Sequence, residues 1–305
     1  MSVLLEPIVQ FYRNILAPVE PLSSWVGSPL SMLDLGAAFR LCLVLRQIRE
    51  QLRAVHLQNA TSDKVTTAAV EERSFVREAS TVLLIVYGGE AITSPYLGIP
   101  PSFMYSGVVP LLYIGMQALV EKLPTVHSMS LNSELPLTLF DGMSRAYLLC
   151  NLIPPAVLGH QNTALSTSPW TLLLTALVTA NAGFFVVNLF SFLQPYALTL
   201  STPPELSPYG WTTTDLWCAP FITGLYATLT HAQPFFSDLH AVLFGWLGAA
   251  TTDVDGFTKI APMDPEYARA FCALVLAGLF GIRTLKTFGG LATHPAISQK
   301  KVKAQ

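Results

Sequence analysis

Charge is the scarce ingredient of this sequence. Only 12% of its 305 residues are Asp, Glu, Lys or Arg, while 51% are hydrophobic. A soluble domain carries about 25% charged residues, so this chain lacks the polar surface to cover a globule, and lipid is the solvent that suits it. It has no concentrated basic face either, and its net charge of −2 offers nothing to a nucleic acid. Cysteine is rare and scattered. Cys42, Cys150, Cys218 and Cys272 each sit inside an apolar run, no two close together, which excludes a CxxC metal or redox motif and reads as small buried hydrophobes. Zinc-ligand spacing, a nucleophile elbow and any recognisable setting for a catalytic Ser or Thr are all missing. No enzyme, resident metal or other cofactor is therefore expected. His127, His160 and His240 fall in loops, and His231 reads as an interfacial, hydrogen-bonded residue. The first twenty residues hold no long apolar core, so no cleavable signal peptide is expected.

Long apolar segments are what the chain does have. A helix needs about 20 residues to cross the hydrocarbon core, and seven candidate spans answer to that: 31–52, 79–98, 103–120, 135–158, 170–193, 216–233 and 267–287. Segment 239–250 is too short and reads as re-entrant or interfacial. Positive charge is uneven. Arg46, Arg49, Arg53, Lys64, Arg73 and Arg77 follow the first span, and Arg283, Lys286, Lys300, Lys301 and Lys303 follow the seventh. With an odd number of spans both basic stretches fall on one side, which the positive-inside rule makes cytosolic. The sequon Asn59-Ala60-Thr61 lies in that basic loop and would not be used. Lys301 and Lys303, close to the final residue, match a dilysine retrieval address for the endoplasmic reticulum or an ordinary basic tail.

The spans repeat weakly. Asp34 to Asp141 is a shift of 107 residues, Gly89 to Gly183 one of 94, and Pro110 to Pro220 one of 110. Three spans per half insert with opposite orientation, so the expected fold is an all-α membrane protein: seven transmembrane helices in a 3+3 inverted repeat plus a seventh helix. The boundaries read as a segment 1–30, a channel domain 31–290 (repeats 31–122 and 134–233, last helix 266–288) and a basic tail 291–305.

Ionisable groups inside lipid cost about 2.5–3.5 kcal/mol even on the lenient insertion scale, so Asp34, Arg40, Glu90, Asp141 and Arg145 must face partners or water. Asp141 and Arg145, four apart, share a helix face, and Asp34 either pairs with Arg40 or caps the first span. A polar, water-filled path is the functional alternative. Glu90 follows Gly88-Gly89, where a loosened backbone survives in lipid only if it is buried or lines a cavity. A carboxylate beside exposed carbonyls attracts cations, whereas an Arg-paired or neutral Glu would only join helices. Pro110, Pro154-Pro155 and Pro220 should kink spans three, four and six.

Several short motifs, in order, resemble the trimeric intracellular cation (TRIC) channel family. Tyr87-Gly88-Gly89-Glu90-Ala91-Ile92 with Gly98-Ile99-Pro100-Pro101 resembles that family's glycine-rich second span and the prolines after it. Met32-Leu33-Asp34-Leu35 resembles the start of its first span. Ala182-Gly183 with Asn188 and Phe190 resembles its fifth-span glycine motif, and the stretch from Gly142-Met143 to Pro154-Pro155 can be laid on its fourth. The resemblance covers residues 30–290. It implies a homotrimer of the endoplasmic reticulum with a pore in each protomer, passing monovalent cations, mainly potassium, as counter-ions for calcium release and uptake, with a bound phosphoinositide lipid. On that reading the ion path passes Gly88, Gly89, Glu90, Asn151, Asn181, Ala182 and Gly183. The chain departs from the family where Asn151 and Asn181 stand at basic positions, where Pro154-Pro155 replaces a glycine pair, where Glu90 replaces a glycine, and in a longer segment 235–264. A secondary transporter on the same repeat, or a non-conducting lipid-binding membrane protein, are the competing expectations.

Overall fold

A computed structural model describes residues 2–20, 22–62, 69–206, 213–246 and 261–288. The described chain is all helix, with no strand among these residues. Its longer helices are α1 (Ser2–Leu16), α3 (Met32–Ser62), α4 (Phe75–Tyr96), α6 (Val108–Glu121), α7 (Leu131–Tyr147), α10 (Pro169–Leu189), α11 (Thr213–Thr230), α12 (Pro234–Trp246) and α13 (Pro265–Phe288). Short helices α2 (Leu22–Val26), α5 (Ser102–Tyr105), α8 (Ile153–Leu158) and α9 (Thr163–Ser166) join them. Lys64, Lys301, Lys303 and the dilysine tail lie outside the described residues, as do 247–260 of the long segment after α11.

Helices stand where the seven apolar segments predict them, but the segments are not equivalent. Only α10 and α13, among the described residues, are long and apolar enough to cross a membrane by length and composition, which points to membrane association. The physical reasons differ for the rest. α6 is apolar but has 14 residues. α3 runs on to Ser62, ten residues past its expected end, carrying its arginines on a single helix. α4 carries Arg77, Glu78 and Glu90, and α11 is rich in threonine. The fourth segment is not one α-helix: α7 passes into a π-helical turn, Leu148–Leu152, and then into α8.

That break follows from Pro154-Pro155. Prolines lack the N–H groups that would bond the carbonyls of residues 150 and 151, so the α-helical ladder cannot continue. The Thr223 hydroxyl donates to the Leu149 carbonyl at 3.1 Å and satisfies one acceptor in the widened turn. Pro220 lies inside α11 and frees the Leu216 carbonyl in the same way. Pro110 does not kink α6: it occupies the first turn, where a missing donor costs nothing.

The packing has two centres. α4 lies antiparallel along α10, and α7 along α13, with α11 between α10 and α13. The larger apolar core gathers Met143, Ala146, Leu149, Leu172, Ile222 and Leu276, and a smaller one gathers Cys42, Leu45, Val82, Val120 and Val187 where α3, α4 and α6 meet. All four cysteines are buried and unbridged, as their apolar runs predict. The α7–α13 seam closes because Gly142 has no side chain: a Cβ there would stand 2.7 Å from the Ala277 nitrogen. Small residues that let backbones approach are how helices gain dispersion contact where water supplies little driving force.

The N-terminal segment is not a featureless lead-in. α1 is amphipathic and lies across the start of α13. Its Tyr12 hydroxyl donates to the Met143 carbonyl at 2.6 Å, and the Arg269 guanidinium sits 4.6 Å above the Tyr12 ring. Burial pushes the Tyr12 phenol well above its ordinary range, so it stays a neutral donor. At the rim Arg13 donates to Glu266 at 3.0 Å and Tyr267 to Glu6. At the other end of α11, His231 adopts φ +53 and ends the helix, with its Nε2 2.6 Å from Nδ1 of His240, which is buried on α12.

Two outcomes follow from these joints. Tyr12→Phe should lose about 1 kcal/mol of stability, read as a lower unfolding midpoint in detergent. Burial first, and the neighbouring His231 second, hold His240 below the usual imidazole range. In the unfolded chain histidine titrates near about 6.5. Below that pH the unfolded state takes up a proton that the folded state resists, so stability falls as pH drops. His240→Gln should flatten this acid limb in unfolding measured against pH.

Candidate functional site

Among the described glycines, those at the crossing of α4 and α10 leave the least room to the facing backbone. A Cβ at Gly89 would stand 2.6 Å from the Thr179 carbonyl carbon, and one at Gly183 would stand 2.5 Å from the Leu84 carbonyl oxygen and overlap that of Ile85. Gly88 would bring a Cβ to 3.1 Å from the Gly183 Cα. At Gly89 and Gly183 only glycine fits, while at Gly88 an added carbon would press on the facing backbone by a few tenths of an ångström. The contact is reciprocal: Gly89 meets Thr179 and Gly183 meets Ile85, and one shift of 94 residues carries Gly89 to Gly183 and Ile85 to Thr179. The Thr93 and Thr179 hydroxyls meet across the crossing at 3.0 Å.

Polar groups border this crossing. Asn181, two residues before Gly183, is buried, and its amide donates to the Leu177 carbonyl at 2.8 Å and to the Leu216 carbonyl, freed by Pro220, at 3.4 Å. Its Oδ1 accepts from Arg145 Nη2 at 3.0 Å. Ala182 lies between Asn181 and Gly183 and is half-buried. Asn151 sits apart in the π-helical turn, its Oδ1 buried without a partner. A π-turn beside an unsatisfied amide is a common mark of a functional position. Glu90 occupies the last two turns of α4, nearer its end than the middle that the segment 79–98 implies. Its carboxylate accepts from the Ser102 backbone N–H at 2.6 Å and hydroxyl at 2.8 Å, at the start of α5.

The charges in the apolar segments pair differently from their spacing in sequence. Asp141 does not bond Arg145, though the two share a helix face. Both Asp141 and Glu134 bond Arg40: Nη2 lies 2.6 Å from Glu134 Oε2 and 3.1 Å from Asp141 Oδ2, and Nε donates to Asp141 Oδ1 at 3.2 Å. Asp34 takes the capping role rather than pairing with Arg40, accepting from the Ser31 N–H at 2.9 Å and hydroxyl at 2.7 Å. Sequence reasoning missed Glu134, because it precedes the apolar boundary at 135. Ser130, whose side chain caps α7, was the available signal that the helix starts early enough to include it.

The arginines of the basic stretch are largely committed to the fold. Arg46 donates to the carbonyls of Val120 and Leu123, at the end of α6. Arg77 donates to the carbonyls of Ser191, Phe192, Gln194 and Tyr196, where α10 has ended, at 3.0–3.2 Å. Each places a cation on orphan carbonyls at the negative end of a helix dipole. Arg49 bonds Glu121 and lies 3.8 Å from Glu78. Arg53 and Arg73 line a cleft beside Glu71 and Glu72.

No protein family, curated protein or solved structure matches the chain.

Two measurements test the geometry. Gly183→Ala should cost about 1–3 kcal/mol, because the added carbon meets the α4 backbone at Leu84 and Ile85, whereas Gly115→Ala, which faces open space, should be neutral or slightly stabilising. Arg40→Met should be far more damaging, about 3–5 kcal/mol, since it strands two buried or half-buried carboxylates. Unfolding of the purified protein in one detergent compares all three.

Proposed function

We propose that this chain is a monovalent cation channel of the trimeric intracellular type, passing mainly potassium across the endoplasmic reticulum membrane as counter-ion to calcium release and uptake. The reading takes the fold as seven membrane-crossing helices, a 3+3 inverted repeat plus α13, assembled as a homotrimer. The observation that carries it is the reciprocal α4–α10 crossing. An antiparallel crossing at which both halves present a glycine, Gly89 and Gly183, fits the pseudo-two-fold axis of an inverted repeat. The glycine motifs that resemble the channel family's second and fifth spans are the residues at that contact.

On this reading ions pass beside the crossing, where Glu90, Asn181 and Asn151 supply oxygen atoms and the glycines bring carbonyls close to the path. The arginine-rich ends of α3 and α4 face the cytosol, as does the tail after α13. The cleft at Arg53 and Arg73 would take the anionic headgroup of a phosphoinositide. One observation favours a second reading, a non-conducting lipid-binding membrane protein: Asp34, Arg40, Glu90, Asp141 and Arg145 each have a protein partner. A secondary transporter differs from both in giving slow, saturable flux.

Potassium flux into liposomes holding the purified protein decides among these. The channel reading expects fast, cation-selective, non-saturating flux that falls in Glu90→Gln. Unchanged flux in that variant would keep the channel and confine Glu90 to fastening α5. Absence of flux at every voltage and calcium concentration would sink the channel.

A further inference from the structure

Ser74 joins an irregular, exposed stretch, 69–74, to the 22-residue helix α4. It holds the N-cap position with an extended backbone, φ −106 and ψ 122, yet its hydroxyl caps nothing. A serine at this place ordinarily accepts from an N–H two or three residues on. Its carbonyl takes the Glu78 N–H at 3.1 Å. The N–H groups of Phe75, Val76 and Arg77 therefore have no acceptor within the helix. Open donors and the positive end of a helix dipole thus lie beside an unused hydroxyl, an arrangement that suits an anion.

The side chains around it point to the same chemistry. Ser74 lines a cleft with Arg49, Arg53 and Arg73. Arg49 is nine-tenths buried, and its Nε and Nη1 have no hydrogen-bond partner. Arg53 is exposed and has no ion-pair partner among the described residues. Arg73 reaches Glu50 only at 4.0 Å, and Arg46 already bonds Glu50 at 2.9 Å. Of the acids along the cleft, Glu71 is held by Arg77 at 2.8 Å, Glu78 lies 3.8 Å from Arg49, and Glu72 is exposed. Guanidinium forks match the oxygens of a phosphate.

The stretch also suits the active site of a protein kinase. Arg73 precedes Ser74, Phe75 follows it, and Arg77 stands three residues beyond. Such a pattern of positive charge about a hydroxyl is what a basophilic kinase reads. Every residue from Ala69 to Val76 is exposed. This segment and the first turn of α4 can therefore enter an enzyme cleft without disturbing the apolar cores.

We infer that Ser74 is a phosphorylation site whose phosphate is held within the same chain by Arg53, Arg73 and the N-terminus of α4. In the transfer, Ser74 Oγ attacks the γ-phosphorus of ATP and the bond from that phosphorus to the bridging oxygen breaks. ADP leaves, and the hydroxyl proton passes to the kinase's catalytic carboxylate. The phosphate then joins α3 to the start of α4, two helices that touch little. Access to ATP in the cell rests on the cytosolic placement of this end of α4 proposed above, whereas the seat for the phosphate does not. Under the channel reading the modification also fills the cleft offered to a phosphoinositide headgroup, since both bring phosphate to the same arginines.

The test has two arms. In the first, sealed microsomes that hold the full-length protein, cytosolic face outward, receive ATP and cytosolic extract, and peptide mass spectrometry reads the product. Phosphate at Ser74 is expected. Phosphate there only after detergent has opened the membranes would support the site and count against the cytosolic placement alone. In the second, the full-length protein phosphorylated at Ser74 is titrated in detergent by phosphorus NMR. A solvated phosphoserine loses its second proton near about pH 6. Seated among guanidinium groups it should do so at about pH 5, and Arg53→Gln combined with Arg73→Gln should reverse the change. Absence of phosphate at Ser74 in both microsome preparations would overturn the site, as would a phosphate that titrates alike with and without the two arginines.

Discussion

The contact on which the rest of the molecule depends is the approach of α4 to α10 at Gly88, Gly89 and Gly183. A carbon atom added at Gly89 or Gly183 would overlap the facing backbone. At that separation the two helices gain dispersion contact along both backbones, a gain that bulky side chains would forfeit. It also fixes where everything else stands. α11 and α6 pack against the outer faces of this pair, and Asn181 and Glu90 flank it because they neighbour its glycines in sequence.

Charge is handled by a second device, the use of arginine as a tie between elements. Arg46 takes two carbonyls at the end of α6 and Arg77 four past the end of α10, which brings α3 to α6 and α4 to the segment after α10. Arg40 joins α3 to α7 through two carboxylates. These arginines come from α3 and α4, and their acceptors lie on other parts of the chain. A guanidinium has five donors in a rigid fork, so one side chain can serve several carbonyls where an ammonium would serve fewer. The scarcity of charge in this sequence is therefore matched by a specific structural use for much of what there is.

Prolines show how one residue type acts differently by position. Pro154 and Pro155 break a predicted span into α7, a π-turn and α8, and Pro220 frees a carbonyl that Asn181 then takes. Pro110 looked equivalent by spacing, yet its place in the first turn of α6 makes it silent. The Leu216 carbonyl freed by Pro220 is met by Asn181, and the Leu149 carbonyl in the π-turn by Thr223, both from other helices, which no local pattern announces.

Sequence alone determined the helical class and the approximate position of the helices in the seven apolar segments, though not of α1, because apolar runs, glycine pairs and prolines act on the residues beside them. It also marked Gly88, Gly89 and Gly183 as special, since a glycine pair in an apolar run needs a reason. Tertiary structure decided the partners. Asp141 and Arg145 share a helix face, yet Arg40 from α3 takes Asp141, and Glu134 enters the network from outside the apolar boundary. Pairing energy depends on distance in space and on burial, and neither is a function of spacing along the chain.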